Sequence, residues 1–97
     1  MKDKGIIVGT CVLSGCGHDK GRIYVVVDEH ESFLYLSDGD TRSLLAPKKK
    51  RRSHVCPLGQ IEQARIWLDS LKELPVPVQN SEIRKAIRSF MESHGKL

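Results

Sequence analysis

The chain has 97 residues, enough for one compact domain and too few for two. Hydrophobic residues make up 39% and charged residues 29%, a balance that excludes wholesale disorder. No apolar run approaches the roughly 20 residues needed to span a bilayer, and the polar start does not read as a secretory signal. The expected compartment is therefore the cytoplasm, where Cys11, Cys16 and Cys56, an odd number, stay reduced.

The first half reads as strands. Residues 6–13 are apolar and β-branched around Gly9 and Thr10. Residues 14–21 carry three glycines in eight positions and form a loop. Ile23-Tyr24-Val25-Val26-Val27 is a strong strand signal, followed by a polar turn and a third strand, Phe33-Leu34-Tyr35-Leu36. Asp38-Gly39-Asp40 ends it. Ser43-Leu44-Leu45 and Ser53-His54-Val55 are expected to add two short strands on either side of a basic run. Short strands at this spacing suggest a small antiparallel barrel or sandwich.

The second half reads as helices. From Leu58 onward, Ile61, Ala64, Trp67, Leu68, Leu71 and Leu74 follow the spacing of an amphipathic helix. Pro75-Val76-Pro77 is expected to stop it. Asn80 or Ser81 would cap a second helix with Ile83, Ala86, Ile87, Phe90 and Met91 on its apolar face. Arg84, Lys85 and Arg88 then fall on the solvated side, and Gly95 terminates it.

The net charge of +4 is concentrated in one place. Residues 1–41 carry 4 basic and 7 acidic residues, residues 55–97 carry 6 and 5, and residues 42–54 carry six basic residues and no acid. Those six are Arg42, Lys48, Lys49, Lys50, Arg51 and Arg52. Such a patch is the electrostatic footprint of a polyanion-binding protein. Five adjacent cations repel one another, so the run is expected to be an exposed, mobile arm until an anion neutralises it. If all five touch phosphate, the logarithm of affinity should fall against that of salt with a slope of about −3.5 to −4.5. With Pro47 before it, the run also has the composition of a nuclear import signal.

Residues 9–39 carry a resemblance. Gly9-Thr10-Cys11-Val12-Leu13-Ser14, the glycine loop, and Asp19-Lys20-Gly21-Arg22-Ile23-Tyr24-Val25-Val26-Val27 look like a KOW motif, with Gly21 at the family's central glycine. Glycine suits that position because the loop must turn into a strand at a φ unfavourable to other residues. The whole chain is similar to bacterial KOW-domain proteins related to a large-subunit ribosomal protein family of archaea and eukaryotes. The likeness extends to the lysine-rich stretch and to Glu82-Ile83-Arg84-Lys85-Ala86-Ile87. It departs in the loop, where Cys16, Gly17 and His18 stand in place of more basic residues.

The expected fold is thus α+β: an SH3-like antiparallel β-barrel over residues 1–57, with the basic segment at 46–54, then two amphipathic helices over 58–97 packed on it as one unit. The resemblance implies binding to structured RNA, ribosomal RNA above all, in association with the ribosome or translation. Contacts to ribosomal proteins are also possible, and some KOW domains serve protein–protein interaction instead. Lys48, Lys49, Lys50, Arg51 and Arg52 are the expected phosphate contacts, with Lys20, Arg22 and Arg42 in support. A monomer is expected, with no membrane, metal or cofactor. Cys16-x-His18 and His54-x-Cys56 resemble zinc dyads, but their spacing is shorter than that of structural zinc motifs. No nucleophile elbow, phosphate loop or spaced acid pair points to an enzyme. Tyr24, Phe33 and Tyr35 are the only aromatics of the β part; at least some are expected in the core, and recognition of RNA shape and backbone is favoured over an exposed stacking platform.

Overall fold

The computed structural model describes residues 6–15 and 21–93. Lys20, Cys16 and His18 lie outside these described residues, as does the expected terminator Gly95. The described chain forms an antiparallel five-stranded sheet and two helices, an α+β arrangement. Strands β1 (Thr10–Ser14), β2 (Ile23–His30), β3 (Phe33–Ser37) and β4 (Lys48–Arg51) follow one another as a meander. A 3-10 turn, Arg52–His54, leads to β5 (Val55–Gln60), which returns to pair with β1. Helices α1 (Ala64–Leu71) and α2 (Val76–Ser93) complete the chain.

The strand order β4-β3-β2-β1-β5 puts β4 and β5 at opposite edges, although only three residues separate them. In a flat sheet those edges would lie about 19 Å apart, at about 4.8 Å per strand. A 3-10 turn advances only about 2 Å per residue. The sheet must therefore coil strongly, and it does so without closing, because β4 and β5 do not pair. A bulge between Val26 and Asp28 supplies part of the bend.

Coiling gives the sheet two distinct faces. On the inner face Val12, Tyr24, Val26, Leu34 and Leu36 pack with Ile6, and Val55 of β5 leans on them. On the outer face Cys11 and Val25 meet Leu68 and Leu71 of α1 and Ile83, Phe90 and Met91 of α2. The helices thus cover the outer face around Cys11 and Val25. β2 is buried on both faces, which is why its centre reads Tyr24-Val25-Val26 without alternation.

Several boundaries differ from expectation for identifiable reasons. Leu58 belongs to β5 and not to a helix, so the sheet runs through the expected boundary after residue 57. The helical spacing of Leu58 and Ile61 is outcompeted by pairing with the open edge of β1. Pro57 is tolerated because β5 is itself an edge strand. α1 ends at Leu71, before the prolines. Those prolines start α2, where a missing amide does no harm, so α2 begins four residues ahead of Asn80. Gln79 is buried and its Nε2 donates to the carbonyls of Leu71 and Leu74, at 3.0 and 3.1 Å, capping α1 from α2. Ser43-Leu44-Leu45 forms no strand; Leu44 instead drops into the core beside the helices. Ser53 and His54 lie in the 3-10 turn, and only Val55 is strand.

Candidate nucleic-acid interface

The basic run is not an arm. Lys48, Lys49, Lys50 and Arg51 are β4 itself, paired with β3 in the register Leu36–Lys48, Tyr35–Lys49, Leu34–Lys50 and Phe33–Arg51. The cations are tolerated because an edge strand leaves every head near water, and lysines blunt an edge that could otherwise recruit another strand. Alternation splits them. Lys48 and Lys50 lie opposite the inner leucines and are half-buried. Lys49 and Arg51 lie on the outer face and are exposed.

The same alternation sorts β3. Leu34 and Leu36 are buried inside, whereas Phe33 and Tyr35 point outward and are half-exposed. Directly opposed residues of an antiparallel pair share a face, so Phe33 and Tyr35 share theirs with Arg51 and Lys49. Lys49 Nζ sits 4.3 Å and Arg51 Cζ 5.1 Å from the Phe33 ring centroid. On the other side of β3, Tyr35 faces Asp28 and Phe33 faces His30 of β2. Neither Lys49 nor Arg51 forms an ion pair with the described residues. The result is a strip of two aromatic rings with a cationic border along β4.

Arg52 has a different job. Its side chain is only 15% exposed. It donates to Glu29 Oε1 at 2.6 Å, to the carbonyl of Ile6 at 2.7 Å and, through Nε, to the carbonyl of Glu31. Its own amide donates to Ser32. It ties the β2–β3 turn, where Glu31 holds a φ of 52°, to the segment before β1. Among the five residues of the run expected to meet phosphate, Arg52 is the one whose guanidinium is committed to hydrogen bonds within the fold.

Arg22 and Arg42 gather elsewhere, around Asp38 at the far end of β3 from Phe33. Asp38 Oδ1 accepts from the amides of Asp40 and Arg42, each at 2.9 Å, and Oδ2 accepts from the Thr41 hydroxyl at 2.8 Å. Arg22 pairs with Oδ2 at 3.3 Å. Burial alone would raise the pKa of this carboxyl; the two amides, the hydroxyl and the Arg22 charge outweigh burial and hold it below the usual carboxylate value. Arg84 of α2 donates to the carbonyl of Gly39 in the same turn, and Lys85 pairs with Glu82 at 3.6 Å. This end is a structural knot, and Arg22 enters it as a partner of Asp38. Gly21, at the expected loop end, has a φ of +88°.

The described residues contain no group of three or more His, Cys, Asp or Glu able to hold a metal. No described helix is long and apolar enough to cross a membrane. Neither a family model nor a curated protein sequence matches the chain.

Sequence reasoning found the basic run but did not bring it together with Phe33 and Tyr35. The signal was present in Phe33-Leu34-Tyr35-Leu36, where aliphatic and aromatic residues alternate with period two. It could not be used without knowing that the lysines form the adjoining strand.

Proposed function

We propose that the chain is a cytoplasmic RNA-binding module of the KOW type, associated with the ribosome or translation, and not an enzyme. The observation that carries RNA binding is β4: exposed Lys49 and Arg51, unpaired with the described acids, stand beside half-exposed Phe33 and Tyr35. Cations in this setting position a phosphate backbone without reading sequence. The KOW and SH3-like assignment draws on the resemblance of residues 9–39. The antiparallel pairing of β1 with β2 and the left-handed backbone at Gly21 support it. The ribosomal setting draws on that resemblance alone.

The test is fluorescence anisotropy with a labelled RNA hairpin over a series of salt concentrations. Replacing Lys49 and Arg51 by glutamine should weaken binding and reduce the log–log salt slope by about 1.4 to 1.8. An unchanged slope and affinity would overturn the assignment. A protein-interaction role is the second reading, favoured by a groove of about 410 Å³ between α1 and α2 lined by Ile61, Ile66, Trp67 and Phe90. It predicts that partners survive nuclease treatment of a pull-down, and their complete loss would exclude it.

A further inference from the structure

We propose that the outer face of β3 and β4 takes unpaired RNA, with bases stacked on Tyr35 and Phe33 and backbone phosphates on Lys49 and Arg51. This rests on the RNA-binding reading above and names the form of RNA it selects.

Spacing is the first ground. Phe33 and Tyr35 are two residues apart on one strand, so their rings emerge about 7 Å apart. Nucleotides in a DNA duplex rise only about 3.4 Å per step along each strand, and the A-form steps of paired RNA are no longer. A paired helix cannot set successive bases on both rings, and its bases are in any case turned inward. Splayed, unpaired bases can reach such rings, which is how single strands meet aromatic side chains.

Charge placement is the second ground. Each ring has a cation on its β4 side: Lys49 opposite Tyr35 and Arg51 opposite Phe33. On the β2 side Tyr35 faces the carboxylate-bearing Asp28 instead. A phosphate backbone is therefore drawn to β4 and repelled near Asp28, which leaves its bases lying inward over β3. The helices cover the outer face of β2 only at Ile23, Val25 and Val27, so Asp28 and His30 stay exposed along the β2 side of the strip.

Lys49 rests over the Phe33 ring in the free protein. An exposed cation–π contact of this kind is weaker than base–aromatic stacking. A phosphate that draws the ammonium aside exposes the ring, and the contact meanwhile holds Lys49 and Arg51 on the correct face.

The experiment compares a labelled oligouridylate with a blunt RNA duplex of the same length. Tyr35→Leu is the main variant, because Tyr35 is not under either of the two cations that cap Phe33. It should weaken oligouridylate binding about 5-fold or more, by loss of one stacked base. Duplex affinity should change by less than about 2-fold, because phosphate contacts govern it. Tyr35→Phe keeps the ring and should bind like the parent. Melting curves of both variants confirm folding. If the parent binds neither probe, the RNA-binding reading itself fails. If the parent binds and Tyr35→Leu weakens neither probe, or both equally, stacking is overturned while the basic surface stands.

Discussion

Two adjacent arginines of one basic run should behave as different kinds of residue. Arg52→Ala removes three hydrogen bonds from a guanidinium that is 15% exposed. One joins two opposite charges, the guanidinium and the Glu29 carboxylate, whose side chain is 26% exposed; the carboxylate's other neighbour, Arg65, stands 3.9 Å away and is itself mostly exposed. A net hydrogen bond contributes about 1 kcal/mol and a charged one about 1.5–3 kcal/mol, with partial exposure favouring the low end. The loss should be about 3–4 kcal/mol. A chain of this size has only about 5–15 kcal/mol of stability. At about 4–8 °C per kcal/mol, the melting temperature should fall by at least about 12 °C. Arg51→Ala removes an exposed cation–π contact of about 0.5–1 kcal/mol, a shift of no more than about 8 °C. Binding should show the reverse order. At a temperature where both variants are folded, Arg51→Ala should lower the RNA salt slope by about 0.7–0.9 and Arg52→Ala should leave it near the parent value. Circular-dichroism melts and anisotropy titrations read the two quantities. Equal melting shifts, or a salt slope that drops only for Arg52→Ala, would refute the division of labour.

The close approach of the Asp38 turn to α2 gives a second contrast. A Cβ on Gly39 would lie 2.3 Å from the Asn80 carbonyl at a φ of +72°, so Gly39→Ala should destabilise by about 2–5 kcal/mol. Gly21→Ala meets open space at a φ of +88° and should lose only the conformational part, about 1–2 kcal/mol; urea midpoints compare the two. Asp38 is a more readily ionised carboxyl in the folded chain than in the unfolded one. Its stabilisation is therefore full above the unfolded pKa of about 3.9 and is lost as pH falls through the lower folded value. Asp38→Asn should be destabilised at neutral pH, with the gap to the parent closing in strong acid; a constant gap would contradict this. Burial pushes the Cys11 thiol up to about 12, so it should resist thiolate-directed labelling until the chain unfolds, whereas exposed Cys56 should label in the native state.

Local signals carried much of the fold. The β-branched run at residues 23–27 and the alternating Phe33-Leu34-Tyr35-Leu36 are strands, and the 3.6-residue spacing from Ile83 to Met91 is helix. Errors arose where a tertiary partner decided the outcome. Residues 48–51 have poor strand chemistry and became β4 because β3 offered an open edge. Leu58 fitted a helical pattern and became strand because β1 had an unpaired side. The site was half legible for the same reason. Charge concentration located Lys49 and Arg51, but only the register of β4 on β3 sets them beside Phe33 and Tyr35. It also separates them from Arg52, which the sequence alone could not distinguish from its neighbour.

The most direct measurement is an amide NMR titration of the intact chain with a labelled RNA carrying a single-stranded loop. Shifts should concentrate at Phe33, Tyr35, Lys49 and Arg51 and collapse as salt is raised, with Ile66, Trp67 and Phe90 of the helical groove unmoved. Perturbations confined to that groove, with β3 and β4 silent, would contradict the assignment of the RNA surface.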